Sequence, residues 1–177
     1  LKEGNLLTNV YNRLIRSFFY TTQADFGGKL IEGEPSEWIK ELSATKVNEY
    51  ERHMYNHEFH RISYVLDEYI REINKNWAAK SREADKNNDI EAWKQLLIDT
   101  WYSCKVMAVL LHPVAPDGCE MFREYLNVDE SLWSWDYILE PLTAYIPDFS
   151  KHELKFLEPR VDFFKKPEWQ LVAKEEN

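Results

Sequence analysis

The chain has 177 residues, 44% of them hydrophobic and only five of them Gly, which suits one globular domain with a substantial core and disfavours a sheet-rich fold. Twenty-two basic against 31 acidic residues leave a net charge of -9. That argues against a broad nucleic-acid-coating surface, though not against a local polar or basic stripe. The two Cys, Cys104 and Cys119, fit reduced thiols better than a disulfide framework. No run reaches the length of a membrane span and no signal peptide is visible, so a cytoplasmic protein with no membrane partner is expected. The chain opens at Leu1 within helix-like sequence and reads as a fragment of a longer protein. Seven Trp and ten Tyr are many for this length and hint at a binding surface.

The first predicted helix runs from about Gly4 to Tyr20. Leu7, Val10, Leu14 and Phe18, with Leu6, Tyr11 and Ile15, form its apolar face. Asn5, Asn9, Asn12 and Arg16 recur at i, i+4, i+7 and i+11 as a polar stripe, with Arg13 beside it. A solvated face is the plain reading of such a stripe. Three Asn are odd there, because Asn is a weak helix former. Phe26-Gly27-Gly28 reads as a turn, and Gly33 to Ser36 as the approach to the next helix. Ser36 to about Arg82 is helical in pattern, with one break near Asn56-His57, and Ser81 to Asn88 is predicted as a loop.

Ile90 to Leu111 is the predicted central helix. Trp93, Leu96, Leu97, Thr100, Trp101, Cys104, Met107, Ala108 and Leu111 share one face, and Val106 to Leu111 is apolar all round. Asn88 with Glu91 suggests a capping box at its start, and Pro113 and Pro116 stop it at the other end. Asp117 with Glu120 suggests a second box before a short helix, Gly118 to Leu126. The remainder, from Ile146 to Asn177, reads as irregular chain with short helical turns wrapped over the bundle.

His53, His57 and His60 lie at i, i+4 and i+7, a spacing that binds a metal if their helix is continuous and is otherwise a solvated face. No Glu-x-x-His occurs in the chain, nor a Gly-rich phosphate loop, a G-x-S-x-G or a C-x-x-C. The sequence therefore predicts no catalytic site and no cofactor for this fragment. Trp77, flanked by Asn76 and Lys80, is read in two ways: a core Trp closing the bundle, or an exposed platform for an unstacked base.

Four stretches in order resemble the anticodon-binding domain of methionyl-tRNA synthetases, members of the class I aminoacyl-tRNA synthetases. Gly4-Asn5-Leu6-Leu7 resembles the opening of that domain's first helix. Tyr69-Ile70 with Trp77-Ala78-Ala79-Lys80 resembles its N-x-Y-I…P-W-x-x-A-K stretch, with Asp67 in place of the Asn, Asn76 in place of the Pro and one residue fewer between Trp77 and Ala79-Lys80. Leu111-His112-Pro113-Val114-Ala115-Pro116 resembles its L-x-P-x-x-P helix end. His152-Glu153-Leu154 with Leu157-Glu158-Pro159-Arg160-Val161 resembles its closing segment.

The resemblance implies an all-α bundle of about five main helices with an irregular tail packed on it. It implies one domain over 1–177, with the bundle at about 4–127 and the wrapping segment at about 128–177. It implies anticodon-loop binding by Asn5 and Trp77, with Asn9, Asn12, Arg13, Arg16 and Lys80 around them. Asn9 stands where the family has Arg, and Arg13 or Arg16 is the expected substitute. The implied partners are tRNA and the catalytic domain of the parent chain, not DNA. ATP with Mg is expected only in that catalytic domain, which would methionylate tRNA. A synthetase-derived interaction or regulatory bundle is the competing expectation, and a metal-binding bundle on the three His a third.

Overall fold

In the structure, a computed structural model that describes residues 5–166, the first helix opens as a π-helical segment, Leu6–Tyr11, and runs on as α1, Asn12–Asp25. It passes the predicted end at Tyr20 because its last turns have their own anchor. Thr22 is buried, and its hydroxyl accepts from Trp101 Nε1 at 3.1 Å. The helix then ends in the Gly27-Gly28 turn, where both residues have positive φ. Gly4 lies outside the described residues.

Helix α2 spans Glu37–Tyr55 and α3 spans Phe59–Asn87. The predicted break falls between them, at His57, which sits in the left-handed region with φ 58. The break removes the continuous face that the three His would need. His53 Nδ1 instead lies 2.7 Å from Glu58, and among the described residues no three His, Cys, Asp or Glu side chains gather as a metal site.

The predicted loop over Ser81–Asn88 is the second correction, since α3 stays helical to Asn87. Ala84 is buried, Lys80 pairs with Glu83 at 3.0 Å, and Asp85 accepts from Trp93 Nε1 at 3.2 Å. These contacts hold a segment whose composition alone looks solvated. Asn88, at φ 50, closes α3 rather than capping the next helix. Asp89 is the true cap, accepting from Ala92 N at 3.0 Å.

Helix α4, Ile90–Leu111, keeps the predicted bounds and the predicted central place. Every residue from Asp99 to Leu111 is buried. Helix α5, Pro116–Leu126, starts on Pro116, a good first helical residue without a donor to waste. The predicted Asp117–Glu120 box does not form: the helix already begins at Pro116, so Asp117 lies inside its first turn, and Glu120 is engaged elsewhere. It accepts from Arg123 Nε at 2.7 Å and Trp133 Nε1 at 2.8 Å, and lies 2.9 Å from His112 Nε2.

The bundle is sealed by aromatic rings. Phe18 and Phe19 of α1 meet Trp101 of α4 edge-on, with centroids 4.7 and 4.6 Å away. Both Cys lie in this core, and burial pushes their thiols up. The tail descends through 3₁₀ turns at Glu130–Trp133, Trp135–Tyr137, Leu142–Ala144 and Phe149–Lys151.

A lysine lies inside the core. Lys105, in the middle of α4, has no exposed surface. Its Nζ donates to the carbonyls of Ile138 at 2.5 Å and Glu140 at 2.6 Å. The rings of Tyr102 and Tyr145 lie 5.4 and 5.2 Å away. Burial pulls its pKa down to about 7, against the opposing pull of the Glu140 charge. A buried amino group thus fastens the tail to the central helix. No helix among the described residues is long and apolar enough to cross a membrane.

Candidate nucleic-acid interface

The polar stripe of the first helix is a strap site for the chain's own tail, which runs back antiparallel along it. Lys166 Nζ donates to Asn5 Oδ1 at 2.7 Å. The Asn12 amide closes a two-bond clip on Phe164, with Nδ2 donating to its carbonyl at 2.7 Å and Oδ1 accepting its N–H at 2.9 Å. Arg16 pairs with Asp162 at 2.5 Å. Tyr20 bonds the backbone of Glu158 and Arg160, and Gln23 both accepts from and donates to the backbone of Leu157. Extended chain has no ladder of its own, so amides spaced along a helix face satisfy it. Asn has a reason to be here that Lys or Glu would not have: one side chain offers both a donor and an acceptor.

This corrects the expected role of Asn12, and it gives Asn5 and Arg16 partners in the tail. Asn12 is fully buried, and the other two hold tail residues. Asn9 and Arg13 stay exposed. The wider π-helical turn breaks the 3.6-residue spacing that would have kept Asn9 in line with Asn5 and Asn12.

Trp77 is the other correction, and its core reading is the one the structure supports. It is only 8% exposed. Phe18 packs on it at 6.3 Å and Trp93 at 5.7 Å. It is not a helix-end residue, since α3 continues to Asn87. Nor does it share a surface with Asn5. Leu6 and Leu7 line a groove with Phe59 and Ile62 at the start of α3, while Phe18 meets Trp77 farther along. The two helices run parallel, so Asn5 lies roughly 20 Å from Trp77 at 1.5 Å per residue.

Lys80 does reach an open site. A cleft of about 310 Å³ lies where the end of α3 meets the starts of α2 and α4. Trp38, 41% exposed, stands on its α2 side. Asn76, Lys80, Glu83 and Asn87 line it from α3, and Asp89, Gln95 and Asp99 from α4 or its cap. The floor is rigid. Asp99 is buried and accepts from the Ser36 N–H at 2.8 Å, the Ser36 hydroxyl at 2.6 Å and Gln95 Nε2 at 3.0 Å. A carboxylate from α4 therefore caps α2, complementing its positive end. The Asn76 and Asn87 amides carry no hydrogen bond among the described residues and are free for a ligand.

Such a cleft offers a flat ring, amides that donate and accept, and one cation at the rim. Those are the groups that hold an unstacked base. Trp38 is the residue that sequence reasoning missed. Its signal was present: it falls outside the Ile39, Ser43, Val47 and Tyr50 stripe that faces the core. Exposed aromatics are common in this chain, and Trp38 is set apart by standing on the rim of a cleft. The chain matches no family model and no curated protein.

Proposed function

We propose that this chain is the tRNA-binding domain of a class I aminoacyl-tRNA synthetase of methionyl type, and that it holds a base of the anticodon loop in the cleft beside Trp38. The observation that carries the reading is the convergence of an exposed Trp, two unpaired amides and Lys80 on one open cleft. On its α3 wall Lys80 belongs to one of the four stretches that resemble the synthetase domain, and Asn76 stands where that domain has Pro. In this reading Trp38 takes the stacking role that the resemblance assigned to Trp77. ATP, Mg and the methionylation step belong to a catalytic domain of the parent chain, and this fragment serves it by holding the tRNA.

A base–aromatic stack contributes roughly 1–3 kcal/mol, so Trp38→Ala weakens tRNA binding by about one to two decades. Titrating fluorescently labelled methionine tRNA into wild type and variant measures this. Unchanged affinity in a folded Trp38→Ala variant removes the cleft from the reading.

One observation favours a second reading, a synthetase-derived interaction bundle. Glu83, Asp89 and Asp99 line the same cleft, and the whole chain is acidic. An acidic cleft with an exposed Trp also suits an Arg or Lys from a partner protein. Binding of a basic peptide in place of tRNA, lost in Trp38→Ala, would select it.

A further inference from the structure

We infer that the outward face of α3 is a docking surface for the phosphate backbone of an RNA stem. The inference rests on the RNA-binding reading above but concerns a different face of the molecule.

Arg71, Lys75, Arg82 and Lys86 are all exposed and stand at i, i+4, i+11 and i+15. At 3.6 residues per turn those positions make one straight line. Arg61 and the exposed Tyr64 extend it toward the start of the helix. From Arg61 to Lys86 the line is roughly 38 Å long at 1.5 Å per residue. In the gap between Lys75 and Arg82 stand Ala78 and Ala79, which leave the helix surface low enough for a close approach.

A solvated face is the ordinary meaning of charges on a helix. What distinguishes this face is the alignment of three unpaired cations along one helix, since Arg13, Lys29, Arg52 and Lys155 are also unpaired among the described residues but stand apart. Lys40, Lys46, Lys80, Lys94 and Lys151 each pair with a carboxylate three residues away. Lys75, Arg82 and Lys86 have no ion pair among the described residues. Their nearest carboxylates are mostly taken: Glu83 by Lys80, and Asp85 by Trp93 Nε1. Along the same helix Asp67 is held by Arg71 and Glu68 by Lys46, which leaves Glu72 beside the stripe without a pair among the described residues. A chain with net charge -9 thus carries three unpaired cations, Lys75, Arg82 and Lys86, in line with Arg61 and Arg71, which pair with Glu58 and Asp67.

A ridge of separate cations, with no large apolar side chain between Arg71 and Lys86, grips phosphates rather than inserting into lipid. The Lys86 end lies beside Asn87 and the cleft, so a stem lying along α3 delivers its loop to Trp38.

The test is the salt dependence of RNA binding by the full chain. The probes are a methionine-tRNA anticodon stem-loop and a single-stranded oligonucleotide of the loop alone. The variant is Lys75→Glu/Arg82→Glu/Lys86→Glu. The control, Lys29→Glu/Lys151→Glu/Lys155→Glu, makes the same change in net charge away from the ridge. Loss of three phosphate contacts lowers the slope of log affinity against log salt by about three, and lowers stem-loop affinity by on the order of a hundredfold at physiological salt. The control keeps the wild-type slope, and the loop oligonucleotide binds the ridge variant within a few-fold of wild type. Stem-loop binding with an unchanged slope in the ridge variant overturns the inference while leaving RNA binding in place. An equal loss in the control overturns it too, since net charge would then be the cause. Failure of the wild type to bind either RNA, with binding to phosphatidylserine vesicles instead, sinks the inference together with the reading beneath it.

Discussion

Trp77 and Trp38 exchange the roles that sequence position alone suggests. Trp77 looks like a platform because polar residues surround it in the chain, yet α1 and α4 close over it. What the sequence lacked was the end of α3: once the helix runs to Asn87, Trp77 has neighbours on both sides. Truncating a buried Trp leaves a large cavity, so Trp77→Ala costs about 3–5 kcal/mol in urea unfolding. Trp38→Ala, on an open rim, shifts the unfolding midpoint little.

Lys105 was invisible to pattern reasoning for a different reason, because it reads as the last polar residue before an apolar run. Its carbonyl partners come from a 3₁₀-rich tail with no period to detect. Burial sets its folded pKa at about 7, below the ordinary lysine value. The unfolded chain therefore binds this proton more tightly than the folded one. Its penalty on folding is full below pH 7 and falls away as pH rises above it. The pH slope of melting temperature between 7 and 8.5 is accordingly more positive in wild type than in Lys105→Met. Equal slopes would show that the two carbonyls and two rings keep the ammonium charged throughout.

At the scale of elements, the central helix was the most legible part, with both bounds read correctly from apolar spacing and flanking Pro. The caps were less legible. Asn88 and Asp89 are both good cap residues, and only the left-handed turn at Asn88 assigns the first to the outgoing helix and the second to the incoming one. The Asn stripe of α1 was visible as an oddity, but its occupant was not. The tail that fills it lies more than 130 residues away in the chain. Asn12→Ala strips Phe164 of partners for both its N–H and its carbonyl, and a buried group left unsatisfied costs about 1–3 kcal/mol. The variant should therefore lose about 2–4 kcal/mol of stability and expose the tail to limited proteolysis after Arg160 and Lys165. Asn9→Ala, exposed and with no hydrogen bond to the tail among the described residues, should stay within about 0.5 kcal/mol of wild type.

For the whole molecule, helix content and the single aromatic core followed from the low Gly count and the 3.6-residue periods. The proposed binding cleft did not, because it is assembled from three helix ends that only the fold brings together. On the proposed reading, an acidic chain binding tRNA must confine its contacts to a small part of its surface, and the Trp38 cleft and the α3 ridge are the proposed part. The most direct test of that account is a competition in which labelled methionine tRNA is displaced from the chain by unlabelled copies that differ only in the anticodon. If the cleft reads a loop base, the native anticodon displaces the label at least tenfold more effectively than the altered ones, and Trp38→Ala abolishes the difference. Equal displacement by every anticodon would contradict it.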